Sequence, residues 1–341
     1  MKKILLTLLQ YVIFLGLGVV IIVYMFNELT TQDKAEMFSS IKSVRIPLLF
    51  LILVVGFFSH YFRALRWKLL LEPLRIFPST INITFAVLIG YITNLVLPRA
   101  GEVAKCTVLA RYEKVPADKM VGTILAERAF DVLCLGIIIA LAFILQGHVL
   151  GGFINERLAN ASSKTKDVLI GILGLIVLII IAVVIYRKNK GNKVGGFIKN
   201  MGHGVRSILH MKKRWEFIGY TFLIWIMYML QIYIGFKCLP ATDHLSMLVA
   251  FVVLVFGSFG MILTQGGIGA YPAAVAGILL AYNIDHNVGL AFGWVAWAVQ
   301  TGIIIILGIL SFILLPIYNR NNYAKSPLDT RQDTKPGSAG M

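Results

Sequence analysis

The 341-residue chain is 58% hydrophobic and 14% charged, whereas a soluble globular domain has about 45–50% apolar and about 25% charged residues. This composition excludes a soluble globular enzyme and predicts a membrane protein. The net charge of +16 does not indicate a nucleic-acid partner, because the cations lie in short loops between apolar segments, where membrane insertion explains them.

Apolar segments follow one another along the chain, and helices are expected because lipid offers the backbone no hydrogen-bonding partners. The segments are 5–26, 46–62, 79–97, 121–147, 168–186, 217–236, 245–263, 268–283 and 288–318. The first is predicted to be an uncleaved helix, since it is longer than a signal-peptide core. A crossing takes roughly 20 residues, so the predicted fold is an all-α, polytopic membrane protein with about six to eight transmembrane helices.

Basic loops orient these segments, because cytoplasmic loops carry an excess of Lys and Arg. Loop 187–214 has nine cations and is predicted to be cytoplasmic, whereas linker 147–167 has three and is predicted to lie outside. The loops on both sides of 79–97 are also basic. That segment is therefore predicted to be re-entrant from the cytoplasmic side, and both termini are predicted to be cytoplasmic, in the cell (inner) membrane.

A second broken segment lies where Thr264-Gln265-Gly266-Gly267 separates 245–263 from 268–283. This linker is uncharged, so two crossings and a re-entrant pair from outside both stay open. One broken segment from each side is typical of inverted-repeat transporters, which makes an inverted repeat the favoured hypothesis. The predicted domains are one transmembrane unit, 1–318, and a disordered cytoplasmic tail, 319–341.

Two charged motifs flank the first broken segment. Arg63 and Arg66, followed by Trp67, share a helix face and form either a cytoplasmic anchor or a clamp for lipid phosphate. Gly90-Tyr91 and Asn94 precede Leu97-Pro98-Arg99-Ala100-Gly101-Glu102. This run is either a polar turn at the interface or a headgroup site at the mouth of the broken helix.

Three more charges, Glu127, Arg128 and Asp131, begin an otherwise apolar segment. Each would cost roughly 2.5–3.5 kcal/mol at the bilayer centre. We therefore expect them to face a cavity, to pair within the helix bundle, or to lie at the cytoplasmic interface. Gly266, Gly267 and Gly269 predict a tight turn whose following helix could present its N-terminus to an anion.

The remaining motifs argue against catalysis. The sequence has no HExxH, no Gly-x-Ser-x-Gly and no phosphate-binding loop. Cys106, Cys134 and Cys238 are far apart and are interpreted as small buried hydrophobic residues. We expect no enzyme activity, no catalytic residue, no cofactor and no metal site.

Together the motifs around Arg63, Gly90, Glu127 and Gly266 resemble the lysylphosphatidylglycerol synthase transmembrane-region family, also called flippase-like membrane proteins, over roughly 5–318. The resemblance implies a lipid-handling membrane module. The family's best-understood members flip aminoacylated phospholipids and carry an aminoacyl-transferase domain, which is not expected here. The family commonly has Pro before the paired glycines and an acid after them, where this chain has Thr264-Gln265 and Tyr271-Pro272.

The leading hypothesis is a lipid flippase that moves an anionic or modified phospholipid, or a polyprenyl-phosphate derivative, between leaflets. Alternatives are an intramembrane enzyme, an accessory subunit of a lipid- or glycan-modifying system, and a structural membrane partner. Expected partners are membrane lipids, with a homo-oligomer or a separate lipid-modifying enzyme also considered. The candidate substrate-binding residues are Arg63, Arg66, Tyr91, Asn94, Arg99, Glu102, Glu127, Arg128, Asp131, Gly266, Gly267 and Gly269.

Overall fold

The computed structural model of the chain describes residues 16, 18–97, 100–160, 208 and 210–323. Within these ranges the regular structure is helical throughout. The α-helices are α1 (Gly18–Glu28), α2 (Thr31–Lys42), α3 (Ile46–Leu71), α4 (Thr80–Val96), α5 (Gly101–Glu113), α6 (Ala117–Asn160), α7 (Arg214–Cys238), α8 (Met247–Leu263), α9 (Ala270–Leu279) and α10 (His286–Tyr323). Segment 168–186 and most of loop 187–214 lie outside the described residues. The predicted tail was expected to begin at 319, but α10 continues to Tyr323 and Asn319 is buried; the remainder of that tail, from 324, lies outside the described residues.

Among the described residues, four helices are long and apolar enough to cross a membrane, namely α3, α6, α7 and α10. Four shorter apolar helices accompany them: α1, α4, α8, and α9 with the 3₁₀ turn that follows it. The prediction of an all-α, polytopic membrane protein is confirmed. Helix α6 is kinked at Gln146, where the backbone leaves the helical region.

Helix α3 corrects one predicted boundary. The apolar segment was expected to end at residue 62, with Arg63 and Arg66 just beyond it, but the helix continues to Leu71. Arg66 and Trp67 are fully buried. The apolar pattern stops early because the next polar side chains face protein, so hydropathy understates the length of the helix.

Helices α3, α7 and α10 come together at one end of the bundle, called here the Arg45 end. The Arg45 guanidinium lies 3.1 Å from the Asp243 carboxylate, and its backbone N–H donates to the Cys238 carbonyl at 2.9 Å. Asn287, near the start of α10, donates to Asp33 of α2 at 2.8 Å. Hydrogen bonds from Thr30 and Asn287 lower the pKa of Asp33, so this carboxylate stays charged at neutral pH.

The opposite end of the bundle, called the Asn82 end, joins the other termini of these helices. The Asn82 side chain donates to Glu113 at 2.7 Å and to Asn319 at 3.0 Å. Lys213, which precedes α7, lies 2.8 Å from Glu72, which follows α3. Helices α3 and α10 therefore run from the Arg45 end to the Asn82 end, and α7 runs the other way.

Two helical hairpins enter the bundle from opposite ends. The α4–α5 hairpin starts at the Asn82 end, the α8–α9 hairpin starts at the Arg45 end, and their tips meet. The Gln265 side chain donates to the Asn94 carbonyl at 2.5 Å, and the Trp297 indole donates to the Gly266 carbonyl at 2.7 Å. Because the tips meet inside the bundle, α8 and α9 form a re-entrant pair rather than two crossings.

Helix lengths agree with hairpins that reach only half-way. Helices α4 and α8 have 17 residues each, or about 25 Å at 1.5 Å per residue, and α10 extends about 55 Å along both hairpins. Gly308 of α10 packs on Ile92, and Gly293 packs on Pro272. A bilayer with its headgroups is about 40–45 Å thick, so the two tips lie near its middle.

The order of elements repeats with opposite direction. Helices α3, α4, α5 and α6 form a span, a hairpin and a second span, and α7 to α10 form the same series. Each element of the second set begins 167 to 169 residues after its counterpart in the first. Since α3 and α7 run in opposite directions, the two sets form an inverted repeat of the kind that transporters use.

The α4–α5 hairpin depends on close contact between two backbones. A Cβ added to Gly101 would overlap the Gly90 carbonyl oxygen, and one added to Gly90 would lie 2.8 Å from the Gly101 carbonyl oxygen. The Asn94 side chain accepts a hydrogen bond from the Gly101 N–H at 2.8 Å. The two helices therefore approach as closely as glycine permits.

We predict that Gly101→Ala destabilises the protein by about 1–3 kcal/mol, because the added methyl group forces α4 and α5 apart. Thermal or denaturant unfolding in detergent measures the change. The matched control is Gly122→Ala, where a Cβ meets nothing within 4 Å. Equal stability of the two variants would contradict the tight packing of this hairpin.

Candidate functional site

A cluster of buried ion pairs joins α3 to α6. The Arg66 guanidinium lies 2.7 Å from the Asp131 carboxylate and 3.1 Å from the Glu127 carboxylate. Arg63 lies 3.3 Å from Asp131 and 3.8 Å from Glu127. The spacings of three and four residues place each pair on one helix face. The predicted pairing of these charges inside the bundle is found, but it connects two helices.

Lys105 of α5 adds a third cation to the cluster. Its ammonium group lies 2.9 Å from Glu127 and 4.4 Å from the centre of the Trp67 ring. The Trp67 indole donates to the Thr123 hydroxyl at 2.9 Å. The cluster therefore links the first hairpin to both spans of its repeat, and Trp67 packs inside the protein instead of lying at an interface.

Arg66 lies in the interior of the protein. Its side chain is fully buried, its guanidinium donates to Thr221 of α7 at 3.3 Å, and the Phe217 ring lies 5.5 Å from it. We assign Arg66 to the ion-pair network and not to a ligand surface. The alternative of a cytoplasmic interfacial anchor is wrong for this residue, because no part of its side chain reaches the surface.

Arg128 is placed differently from Arg66. Its guanidinium lies 2.7 Å from Glu102 of α5, and the two side chains are 46% and 35% exposed. This pair lies beside a small pocket of about 20 Å³, which is large enough for about one water molecule. Asn94, Tyr91 and Glu127 also line the pocket.

A larger cavity of about 450 Å³ lies between the two repeats. Arg63, Arg128 and Tyr91 of the first repeat form its charged and polar side. Apolar side chains of α8 and α10, including Ile262 and Phe292, form the opposite wall. None of the described residues that line this cavity is Asp or Glu. The cavity is thus amphipathic, with cationic groups at one side and hydrocarbon-like walls at the other.

Repeat-equivalent residues face each other across this cavity. Arg63 and Gln231 occupy matching positions of α3 and α7, and Arg128 and Trp297 occupy matching positions of α6 and α10. All four line the cavity. It therefore lies on the axis that relates the repeats, where transporters of inverted-repeat type bind their substrates.

The structure adds residues that sequence reasoning missed. Tyr228 accepts a hydrogen bond from Arg63 at 2.6 Å, across 165 positions of sequence. His60 lines the cavity with its ring 4.7 Å from that of Tyr91, and the described residues give neither of its nitrogens a hydrogen-bond partner. The sequence could have indicated His60, because it precedes Arg63 by three residues and therefore lies on the same helix face.

The predicted site residues therefore separate into groups. Arg63, Tyr91 and Arg128 line the cavity, and Asn94, Glu102 and Glu127 line the adjoining small pocket. Arg66 and Asp131 lie behind Arg63 in the ion-pair network, and Arg99 lies outside the described residues.

The predicted glycine turn is present at the tip of the α8–α9 hairpin. Gly266, Gly267 and Gly269 have φ angles of +62°, +74° and +72°, which favour glycine. A Cβ on Gly269 would lie 3.0 Å from the Gly18 carbonyl oxygen and 3.1 Å from the Ile21 side chain. Helix α1 thus packs against this turn, and apolar groups lie where an anion was expected.

Fold and cavity define a multi-pass α-helical membrane protein with a charged site between two inverted repeats. A family model described as the lysylphosphatidylglycerol synthase TM region matches residues 8–308. The chain belongs to this family, which confirms the resemblance drawn from its motifs. A search of curated proteins finds no match, and neither does a search of solved structures.

We predict that Arg66→Met destabilises the protein by about 3–5 kcal/mol, because Glu127 and Asp131 lose a buried counter-charge. Unfolding in detergent measures this loss. The same substitution at Arg45, whose pair with Asp243 is about half exposed, is expected to change stability by about 1 kcal/mol or less. Equal effects of the two substitutions would contradict the structural role of Arg66.

Proposed function

We propose that the protein moves an anionic lipid between the two leaflets of the membrane. The family makes it a membrane protein related to lipid. The observation that carries the proposal is the amphipathic cavity, in which Arg63 and Arg128 face apolar walls between the repeats. A lipid headgroup and its acyl chains require this combination of surfaces.

The physical problem in lipid translocation is desolvation of the headgroup. Moving an ionised phosphate into hydrocarbon costs far more free energy than thermal motion supplies. Arginine donates several hydrogen bonds in a plane that matches phosphate. Arg63 is only 12% exposed but lines the cavity, so it would replace part of the hydration of the phosphate.

The hairpin tips provide a route for opening the cavity to either side. They are joined by the hydrogen bond of Gln265 to Asn94, while Trp297 of α10 holds the second tip through Gly266. In inverted-repeat transporters one repeat moves against the other around a site near mid-membrane. Here this would separate the tips and expose the cavity to opposite leaflets in turn.

Lipid surrounds the outer face of the bundle in this proposal. Large apolar side chains such as Phe50, Ile144 and Ile317 are 63% to 76% exposed, and water would disfavour so much apolar surface. Membrane lipids are thus the proposed partners, both as solvent and as substrate. A homo-oligomer or a separate lipid-modifying enzyme would have to contact the same surface.

We predict that Arg128→Ala slows the translocation of fluorescent phosphatidylglycerol in proteoliposomes by about tenfold or more, because a charge-assisted hydrogen bond to the phosphate is lost. The matched control is Arg45→Ala, since Arg45 is also paired with one carboxylate but lies outside the cavity. Wild-type protein and both variants are compared at equal incorporation and with melting temperatures measured.

Two results would contradict the proposal. Translocation of every phospholipid class at the protein-free rate by wild-type protein would remove translocation as the function. Translocation at the wild-type rate by both Arg128→Ala and Arg45→Ala would remove Arg128 from the headgroup site.

We also propose that the chain itself catalyses no covalent reaction. In support, the carboxylates beside the cavity, Glu102, Glu127 and Asp131, are held in ion pairs. Within the described parts of the chain, no three His, Cys, Asp or Glu residues are grouped so as to hold a metal ion. Mass spectrometry of lipids incubated with the purified protein tests this, and a new lipid product would favour the enzymatic alternative.

We propose that the Asn82 end faces the cytoplasm and that both termini lie there, in the cell membrane. Lys68, Arg75, Lys119 and Lys213 lie towards this end, and cytoplasmic loops carry such an excess. A cysteine at His244 is predicted to react with a membrane-impermeant maleimide in intact cells, and one at Lys119 only after permeabilisation. Both positions are exposed, the native cysteines are replaced by alanine, and the reverse labelling pattern would invert the topology.

A further inference from the structure

We propose that the cavity selects a lipid with a phosphate-bearing, hydroxylated headgroup that carries no amine. This rests on the proposed function and names the substrate class of the same site. The phosphate would bind Arg63 and Arg128, and the headgroup hydroxyls would bind His60. Three features of the cavity lead to this assignment: its charge, an unpartnered histidine, and neutral side chains on the facing repeat.

Charge excludes an amine. Arg63 and Arg128 are the charged residues among the described lining of the cavity, and no carboxylate accompanies them there. The nearby carboxylates, Glu102, Glu127 and Asp131, are each held by a cation at 2.7 to 2.9 Å. Because Arg128 is itself the partner of Glu102, the cluster has four cations, Arg63, Arg66, Lys105 and Arg128, against these three carboxylates. An ammonium group in the cavity would therefore meet an excess of positive charge, which costs free energy in a low-dielectric site.

His60 supplies a neutral hydrogen-bonding group. It is 2% exposed, and neither ring nitrogen has a partner among the described residues. Buried polar atoms are nearly always hydrogen-bonded to protein or water, so the partner of this side chain must come from the cavity, and a headgroup hydroxyl would supply it. His60 lies one helical turn from Arg63, which places a hydroxyl on the alcohol side of a bound phosphate within its reach.

The facing repeat offers amides in place of charges. Gln231 and Gln300 line the cavity at the positions equivalent to Arg63 and Asp131. The Gln231 amide has one long hydrogen bond of 3.3 Å to the Met227 carbonyl, so most of its donor and acceptor capacity stays open. Amides donate to and accept from hydroxyls, which makes this wall suitable for a polyol and not for an isolated charge.

The first test measures binding, which does not require transport. Purified protein in detergent is titrated with water-soluble, short-chain phosphatidylglycerol, phosphatidic acid and phosphatidylethanolamine, and the fluorescence of Trp225 and Trp297, which line the cavity, reports binding. Phosphatidylglycerol is expected to bind at least about tenfold more tightly than phosphatidylethanolamine, because the excess of positive charge beside the cavity repels the ammonium group of the second lipid.

Substitution of His60 tests recognition of the headgroup hydroxyls separately from recognition of the phosphate. His60→Phe is expected to weaken the binding of phosphatidylglycerol by about tenfold and the binding of phosphatidic acid by less than about twofold, since phosphatidic acid lacks the hydroxyls. His60→Gln keeps a donor and an acceptor, so it should retain the preference. His244→Phe, an exposed histidine outside the cavity, is the control for the substitution itself.

Gln300→Glu tests the exclusion of amines with a nearly isosteric change. A carboxylate in the cavity is expected to weaken the binding of phosphatidylglycerol by about tenfold and to strengthen the binding of phosphatidylethanolamine, because it repels phosphate and attracts ammonium. Equal affinity of wild-type protein for these two lipids would overturn the proposal. The proposal would also be overturned if His60→Phe keeps the wild-type melting temperature and binds both anionic lipids more weakly by the same factor.

Transport assays with the same lipids distinguish this inference from the proposed function. If phosphatidylglycerol binds selectively but crosses at the protein-free rate, translocation is wrong and the headgroup assignment stands. If all lipids cross equally fast and bind equally well, translocation stands and the assignment is wrong.

Discussion

Burial of charge between α3 and α6 is the constraint on which the rest of the structure depends. Glu127 and Asp131 lie inside a span, where an isolated carboxylate would be prohibitively costly. Arg66 compensates both, and Lys105 brings α5 to the same point. Arg63, which also lies 3.3 Å from Asp131, and Arg128, which is paired with Glu102, line the cavity, so four cations accompany three carboxylates there. The structural pairs thus determine the sign of the site.

The second constraint is the backbone at the hairpin tips. Helices that end within a bundle leave carbonyl and N–H groups without partners, and lipid supplies none. Side chains do so here: Asn94 accepts from Gly101, Gln265 donates to Asn94, and Trp297 donates to Gly266. The bond of Gln265 to Asn94 joins one hairpin to the other repeat, so it stabilises irregular backbone and also holds the repeats together.

Sequence reasoning found the features that depend on local charge and composition. Basic loops on both sides of 79–97 predicted that this segment enters and returns, and the glycines after Gln265 predicted a break. The break is present, but 79–97 forms one continuous helix, α4, and the return leg is α5, in the stretch that was predicted to be a basic loop. Glu127, Arg128 and Asp131 were expected to face a cavity, to pair within the helix bundle or to lie at the cytoplasmic interface. Their actual partners lie on α3 and α5, because spacing along one helix says nothing about which helix packs against it.

The inverted repeat is invisible to residue comparison for a related reason. What repeats is the length of each element, which the membrane dictates, and the residues at equivalent positions have different chemistry. Arg63 corresponds to Gln231 and Arg128 to Trp297. A backbone repeat can persist while side chains diverge, because helix length and direction depend on hydrophobic thickness and not on the identity of a cavity-facing residue.

This divergence has a consequence for transport. A cavity with arginines on both repeats would hold an anionic headgroup tightly whichever leaflet it faced, and a tightly held ligand leaves slowly. Here the cations belong to the first repeat and the amides to the second. In the proposed transport, movement of one repeat against the other would change how strongly the headgroup is held, and a ligand can shift a conformational equilibrium only through such a difference in affinity. The asymmetry between Arg63 and Gln231 would supply that difference on a symmetric backbone.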